Sequence, residues 1–247
     1  RNAILLGNAA AHHAGATTLL ALANWIGERT GASVGYLTEA ANTVGAQLVN
    51  AMPGDGGMNA GQMLSGALKA AILLNVEPEF DSAAGADAKA ALGRAQMVVT
   101  LSPFKANMDF SDVLLPIAPW TETPGTFVNA EGRVQSFHAV VKPLADTRPG
   151  WKVLRVLANM LGLPGFEYES AQDVLVAARG DQDAQQPTVQ GGLLSNQTTA
   201  ALDMNVQAGK PVTAAIYQLD PVVRRAPSLQ LTADAQATRQ PQEGVPA

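Results

Sequence analysis

The sequence has 247 residues, 47% of them hydrophobic, and its 21 acidic and 16 basic side chains give a formal net charge of −5. This length and apolar content suffice to bury one sizeable core or two smaller ones. The absence of cysteine excludes a disulfide, a thiolate nucleophile and a cysteine-ligated iron–sulfur cluster from these residues.

Charge and hydropathy exclude further classes of interaction. The nearest candidate for a nucleic-acid face is the pair Arg224 and Arg225, and two arginines do not make a patch. No apolar run reaches the roughly 20 residues needed to cross a bilayer, so no direct membrane insertion is expected. The three histidines, His12, His13 and His138, lack the spacing of a metal site, and no metal is predicted.

The first elements form a strand–helix–strand pattern. Residues 3–6 are predicted to be a short buried strand that ends at Gly7. Residues 16–29 carry apolar side chains at helical spacing, and Gly31 is placed to end this helix. Residues 33–37 are predicted to be the next strand. This unit is the building block of a parallel sheet.

The same alternation continues as far as Pro116. The sequence predicts helices at residues 58–68, 83–94 and, briefly, 105–110, and strands at residues 70–74, 97–101 and 113–115. Short apolar runs between helices predict an α/β fold with a doubly wound, mostly parallel, Rossmann-like sheet.

A β-hairpin is predicted after this sheet. Residues 126–128 and 133–135 read as strands on either side of a turn, in which Gly132 supplies a positive φ. Helices follow at residues 151–161 and 171–178.

The C-terminal region has a different composition. From residue 180 onward the chain is rich in Gln, Asp, Thr, Gly and Ala without sustained periodicity. We therefore expect an α/β domain over residues 1–179 and an irregular, partly disordered extension over residues 180–247. A late strand at residues 214–219 and a disordered tail at residues 233–247 are expected within it.

The loop at residues 7–15 follows the first strand and is bracketed by glycines. It contains neither the dinucleotide fingerprint G-x-G-x-x-G nor the P-loop pattern. A structural turn and a nucleotide-binding turn both remain open. In either case His12 and His13 are expected to cap or line the loop rather than to catalyse a reaction.

The loop after the third strand contains Asn75 and Glu77. Open α/β sheets bind ligands at the carboxyl ends of their strands, so this amide and carboxylate are candidate cofactor-binding residues. The alternative is an ordinary strand-to-helix turn, with Pro78 near the start of the next helix. No catalytic residue is predicted.

The hairpin region carries Glu122, Glu131 and Arg133 as possible polar anchors. Two carboxylates in one region could perform acid/base chemistry, but no nucleophile or histidine is fixed beside them. The physical chemistry favours an ion-paired hairpin.

A family resemblance lies in residues 30–32, 39–46, 112–116, 122, 125–135, 148–154, 157–158, 161–162 and 217–226. The sequence resembles the molybdopterin oxidoreductase superfamily. Within it, the sequence is most similar to the C-terminal, molybdopterin oxidoreductase-like part of the large iron–sulfur subunit of bacterial respiratory complex I, an NADH-quinone oxidoreductase.

The resemblance implies a domain like the dinucleotide-binding-type domain of molybdopterin oxidoreductases. It further implies a structural, cluster-free part of that subunit, which supports electron transfer from NADH to quinone without redox centres of its own. The parent complex would be a proton-translocating NADH:quinone oxidoreductase, with iron–sulfur clusters in other parts of the subunit. Its partners would be the rest of the subunit and neighbouring complex I subunits, in the peripheral arm on the cytoplasmic side of the inner membrane.

Two alternatives remain open. One is the part of an active molybdopterin enzyme that binds molybdopterin guanine dinucleotide, with Asn75 and Glu77 in the cofactor groove. The other is a Rossmann-like binding module for a small metabolite. Because Arg1 is followed at once by a core strand, we also expect that the sequence is cut from a longer protein.

Overall fold

The computed structural model of the chain describes residues 1–38, 40–180, 188, 194–203, 205 and 216–239. The chain divides into two compact units, and each unit combines two stretches of sequence. The first unit comprises residues 1–57 and 116–211, and the second comprises residues 58–115 and 212–247. The C-terminal region is thus shared between the units, and the predicted domain boundary at residue 179 stays a prediction.

Helices and strands alternate along most of the described chain. In order they are β1 (Ala3–Leu6), α1 (Asn8–Ala11), α2 (Ala16–Thr30), β2 (Ser33–Tyr36), α3 (Thr43–Leu48), α4 (Ala60–Ser65), β3 (Ala70–Leu74), α5 (Pro78–Asp81), α6 (Ala86–Leu92), β4 (Met97–Ser102), β5 (Val113–Pro116), a 3-10 helix (Trp120–Glu122), β6 (Gly125–Val128), β7 (Val134–Phe137), α7 (Gly150–Met160), α8 (Ala171–Arg179), α9 (Pro221–Arg224), α10 (Pro227–Gln230) and α11 (Ala233–Arg239).

The first unit begins with the predicted strand–helix–strand pattern. Strands β1 and β2 pair in parallel, with Ala3 opposite Ser33, and α2 connects them. Helix α2 ends at Gly31, whose φ of 70° lies in the left-handed region and whose N–H donates to the Gly27 carbonyl. A side chain disfavours this conformation, which explains why glycine marks the end of the helix.

The predicted hairpin is also present in the first unit. Strands β6 and β7 pair antiparallel, and Gly132 in the turn has a φ of 80°. The Asn129 side-chain oxygen accepts hydrogen bonds from the backbone N–H groups of Glu131 and Arg133, at 3.1 and 2.9 Å. An asparagine in this role fixes a turn through its own side chain, so the local sequence determines the hairpin.

The second unit is built on strands β3, β4 and β5, which are neighbours in that order. Strands β3 and β4 are parallel, with Ala70 opposite Met97. The core behind them contains Leu73, Leu92 and Val98. The predicted α/β fold with parallel strands is confirmed, with the described parallel strands distributed over two sheets rather than one.

Some local predictions are wrong. Residues 105–110 form bends and turns rather than a helix. Asn107 adopts a φ of 58°, and its side-chain amide donates to the Val76 carbonyl at 2.9 Å, so a tertiary contact replaces the helical hydrogen bonds. Residues 233–239 of the expected disordered tail form α11, whereas residues 240–247 lie outside the described part.

The predicted late strand at residues 214–219 is wrong over its described residues. Residues 216–218 form a turn, and residues 214–215 lie outside the described ranges. Within those ranges, no helix combines the length and the apolar character needed to cross a membrane.

Candidate functional site

Asn75 and Glu77 lie at the carboxyl end of β3, as the sequence predicts. Asn75 has a φ of 51°, and its backbone N–H donates to the Leu101 carbonyl of the neighbouring strand β4 at 2.8 Å. Asparagine tolerates this left-handed conformation better than most residues do. The loop therefore turns sharply at Asn75 and carries Glu77 over the end of the sheet.

Glu77 is buried, with 9% of its surface exposed, and its carboxylate is held by two arginines. Arg225 makes a bidentate contact, from Nη1 to Oε1 at 2.7 Å and from Nη2 to Oε2 at 3.0 Å. Nη1 of Arg224 lies 3.1 Å from the same Oε1. Both oxygens of the predicted cofactor-binding carboxylate are thus occupied by side chains of the same protein.

Arg224 connects this carboxylate to a second one. Its side chain is 5% exposed, and its Nη2 lies 2.5 Å from Oδ1 of Asp81. The guanidinium also donates to the Gln218 carbonyl from Nε and Nη2, at 3.0 and 2.7 Å. The other carboxylate oxygen of Asp81 accepts the Glu77 backbone N–H at 2.7 Å. Two arginines and two carboxylates thereby form a network without net charge.

Aromatic rings support both arginines. The Arg224 guanidinium lies 4.7 Å from the ring centroid of Phe80, and that of Arg225 lies 4.3 Å from the ring centroid of Phe104. Stacking of this kind orients a planar guanidinium and adds cation–π attraction. We call the six side chains of this arrangement the arginine cluster: Glu77, Phe80, Asp81, Phe104, Arg224 and Arg225.

The arginines are presented by a short helix in the C-terminal segment. Helix α9 begins after Asp220, whose side-chain oxygen accepts the N–H groups of Val222 and Val223 at 2.8 and 3.0 Å, and Pro221 occupies its first position. The side-chain amide of Gln230 donates to the carbonyls of Tyr217 and Val223 and ties the segment together. An Asp–Pro pair is a recognisable helix start, so the sequence contained a signal for α9.

The glycine-bracketed loop before α2 has a structural contact. Nδ1 of His13 accepts a hydrogen bond from the Gly15 N–H at 2.9 Å, next to the first residue of α2. This contact agrees with the expectation that the histidine caps the loop.

The hairpin carboxylates do not form the expected arrangement. Oε2 of Glu122 accepts the Leu144 backbone N–H at 2.9 Å. Among the residues that the structure describes, no ion pair joins Glu122, Glu131 and Arg133. The interpretation as an ion-paired hairpin is therefore wrong, because the Asn129 side chain holds the turn instead.

The first unit contains an open, mostly apolar pocket of about 270 Å³. Side chains from α3, the hairpin and α8 line it, among them Leu48, Val128, Val174 and Leu175. Pockets for drug-sized ligands usually measure about 300–1,000 Å³, so this one suits a small group rather than a dinucleotide.

An asparagine joins the two sides of this pocket. Oδ1 of Asn42, directly before α3, accepts the Val128 N–H of strand β6 at 2.8 Å. Gly45 faces the same side chain, and a Cβ at that position would overlap Oδ1 of Asn42. The close approach explains the pairing of asparagine and glycine in this stretch, which sequence patterns alone did not reveal.

Comparison with known proteins identifies a family. Residues 4–160 match the molybdopterin oxidoreductase family. This range covers more than half of the chain and includes β1 through α7. The resemblance to the superfamily is confirmed.

Individual relatives match shorter segments. The probable oxidoreductase YjgC of Bacillus subtilis (strain 168) is 40% identical over 70 residues, which is 28% of this chain and 7% of that protein. Putative formate dehydrogenases of Staphylococcus aureus are similar: that of strain bovine RF122 / ET3-1 is 38% identical and that of strain USA300 is 36% identical, each over 66 residues. These matches cover 27% of this chain and 7% of each relative.

Proposed function

The chain belongs to the molybdopterin oxidoreductase family, and we propose that within it the chain is a cofactor-free structural domain of the large iron–sulfur subunit of an NADH-quinone oxidoreductase. In this role it supports electron transfer from NADH to quinone without holding a redox centre and without catalysing a reaction itself. Its partners are the remainder of its subunit and neighbouring subunits of the complex, in the peripheral arm on the cytoplasmic side of the bacterial inner membrane.

The arginine cluster is the observation that carries this proposal. Ligands of open α/β sheets bind outside the carboxyl ends of the strands. In the second unit, Glu77 lies at that end of β3, and Arg224 and Arg225 of the C-terminal segment bind it. The segment thus takes the position in which a ligand would be expected, and a domain closed in this way suits a structural role.

The residues present do not fit a molybdopterin guanine dinucleotide. A bound nucleotide needs hydrogen-bond donors and acceptors that face it, whereas the Glu77 carboxylate and both guanidinium groups are engaged with one another. The apolar pocket of the first unit is too small for a dinucleotide and is lined mainly by aliphatic side chains. We therefore assign no step of chemistry to such a cofactor in this chain.

The branch of the family is proposed from the same segment. The sequence likeness to the complex I subunit includes residues 217–226, and this stretch contains both arginines of the cluster. One of the stretches that share in the resemblance thus also covers the strand ends. The neutral, internally paired cluster explains what that stretch does in the fold.

A second candidate is the cofactor-binding part of a formate dehydrogenase-like enzyme. The observation that favours it is that relatives of 36–40% identity are named as putative formate dehydrogenases or a probable oxidoreductase. In that function Asn75, which is exposed at the end of β3, contacts the nucleotide part of the cofactor.

Calorimetric titration with a guanine nucleotide separates the two functions. We expect no heat of binding when GDP is titrated into the purified protein at micromolar to millimolar concentration. Micromolar affinity that disappears in Asn75→Ala would overturn the structural proposal in favour of the second candidate. Asn50→Ala is the matched control, because Asn50 is another asparagine with a positive φ, of 54°, but lies in the first unit.

A further inference from the structure

We propose that Arg224 and Arg225 form an oxyanion-binding site whose resident anion is the Glu77 carboxylate. An external oxyanion of the phosphate class occupies this site when the carboxylate charge is removed. The inference rests on the proposed function in one respect, namely that no cofactor fills this edge of the sheet in the native chain.

The contact geometry is that of anion recognition. Arg225 presents two N–H groups to the two oxygens of Glu77, at 2.7 and 3.0 Å. This fork-to-fork arrangement is shared by carboxylate and phosphate ligands of arginine. A phosphate that replaced the carboxylate would therefore meet donors already in a suitable orientation.

The arginines are held in place by more than their anion. Each guanidinium stacks on a phenylalanine ring, Phe80 or Phe104, and Arg224 also donates to the Gln218 carbonyl. Arginine side chains that are ordered by such contacts lose less conformational entropy when an anion binds. The site is thus preorganised independently of Glu77.

One buried donor contacts the carboxylate without a well-formed hydrogen bond. Nη1 of Arg224 is shielded from solvent and makes no hydrogen bond, although it lies 3.1 Å from Oε1 of Glu77. A buried donor without a hydrogen bond is unfavourable. A carboxylate offers two oxygens, whereas a phosphate offers more, in a tetrahedral arrangement. A tetrahedral oxyanion therefore offers this donor a further acceptor.

The charge balance of the arginine cluster also favours an external anion when Glu77 is neutral. With Glu77 ionised, the two arginines are balanced by Glu77 and Asp81. If Glu77 becomes neutral, Asp81 still pairs with Arg224, whereas the charge of Arg225, whose side chain is 33% exposed, is left without a carboxylate partner. An oxyanion from solution restores the balance.

The test is phosphate binding to Glu77→Gln. We expect calorimetry with inorganic phosphate, at constant ionic strength, to show saturable binding to Glu77→Gln and none to the native protein. The midpoint of thermal unfolding of the variant rises by about 4 °C at a phosphate concentration of about ten times the dissociation constant. Adding Arg225→Ala to Glu77→Gln abolishes both effects.

The matched control is Glu79→Gln, which removes the same charge from an exposed position two residues further on, in helix α5. It should show neither binding nor a shift. If Glu77→Gln does not fold, added phosphate should restore its far-ultraviolet circular dichroism, and chloride at equal ionic strength should not. Absence of saturable binding, or of this rescue, refutes the oxyanion site.

Failure of this inference can be distinguished from failure of the proposed function. Guanine-nucleotide binding to the native protein contradicts the structural role, whatever the variant does with phosphate. A variant that ignores phosphate overturns the oxyanion site alone, because the native cluster would still cover the strand ends.

Discussion

Replacement of Arg224 by methionine should weaken the second unit substantially. The side chains of Arg224 and Glu77 are 5% and 11% exposed, so solvent screens their interaction little. Breaking a buried ion pair costs about 3–5 kcal/mol, because the remaining charge is left without compensation. Arg225 still contacts both oxygens of Glu77, so we expect about 3 kcal/mol, at the low end of this range. Methionine retains the apolar contact of the arginine stem.

Hydrogen exchange is the suitable assay. The tryptophans Trp25, Trp120 and Trp151 all belong to the first unit, so their fluorescence does not report on the second. Amide exchange of residues 70–74 and 97–102, measured by mass spectrometry, reports on opening of β3 and β4 directly. A loss of about 3 kcal/mol accelerates exchange through such opening by about 100-fold.

The control for this prediction is Lys89→Met. Lys89 pairs with Asp109 on the surface of the same unit, and both side chains are largely exposed. Exposed pairs contribute little to stability, so exchange of β3 and β4 should be unchanged. If Arg224→Met also exchanges at the native rate, the arginine cluster does not hold the second unit together, and the reasoning is refuted.

Two predictions concern the first unit. Gly45→Ala should lower the midpoint of thermal unfolding, because its Cβ displaces the Asn42 side chain from β6. The control is Gly61→Ala in α4, whose Cβ meets only an ordinary contact and which should not lower the midpoint. Equal midpoints of the two variants would contradict the anchoring role of Asn42. The Ser170 hydroxyl and two backbone N–H groups lower the pKa of Asp173 below its ordinary value of 3.8, so its stabilisation of α8 is present above that value and is lost as the pH falls through the lowered pKa. We expect the nuclear magnetic resonance signals of the α8 amides in Asp173→Asn to differ from those of the native protein at neutral pH and to match them at pH values below the lowered pKa. A difference that is independent of pH would contradict this assignment.

The elements that the sequence predicts correctly are those with local causes. Strand β1, helix α2 and strand β2 follow from apolar spacing and from the left-handed Gly31. The hairpin follows from Asn129 and Gly132, whose turn chemistry is contained within a few residues. Patterns of this range need no tertiary information.

The arginine cluster has causes that the sequence pattern does not contain. Glu77 and Arg225 are 148 residues apart in the chain. In the sequence, Glu77 is a candidate cofactor-binding residue, and Arg225 belongs to a pair of arginines that is too small to form a nucleic-acid-binding patch. The tertiary contact makes each the partner of the other. In the same way, the Asn107 contact with Val76 overrides the helical tendency of residues 105–110.

The sequence alone predicts the family correctly, whereas the function within that family is still a proposal. The motifs of the hairpin and of residues 148–154 lie within the matched range, and the molybdopterin oxidoreductase family is confirmed. The complex I branch is still a proposal, since the named relatives align over at most 28% of the chain. Local motifs identify a fold family, whereas the ability to bind a cofactor depends on which side chains meet in space.

Pterin content tests the central claim most directly. The protein should be purified from bacterial cells that synthesise molybdopterin guanine dinucleotide, and the oxidised pterin should be quantified by its fluorescence after denaturation. A domain whose strand ends are covered by its own arginines is expected to contain no pterin above the background of an unrelated protein purified in parallel. One pterin per chain would contradict the structural role and establish the cofactor-binding alternative.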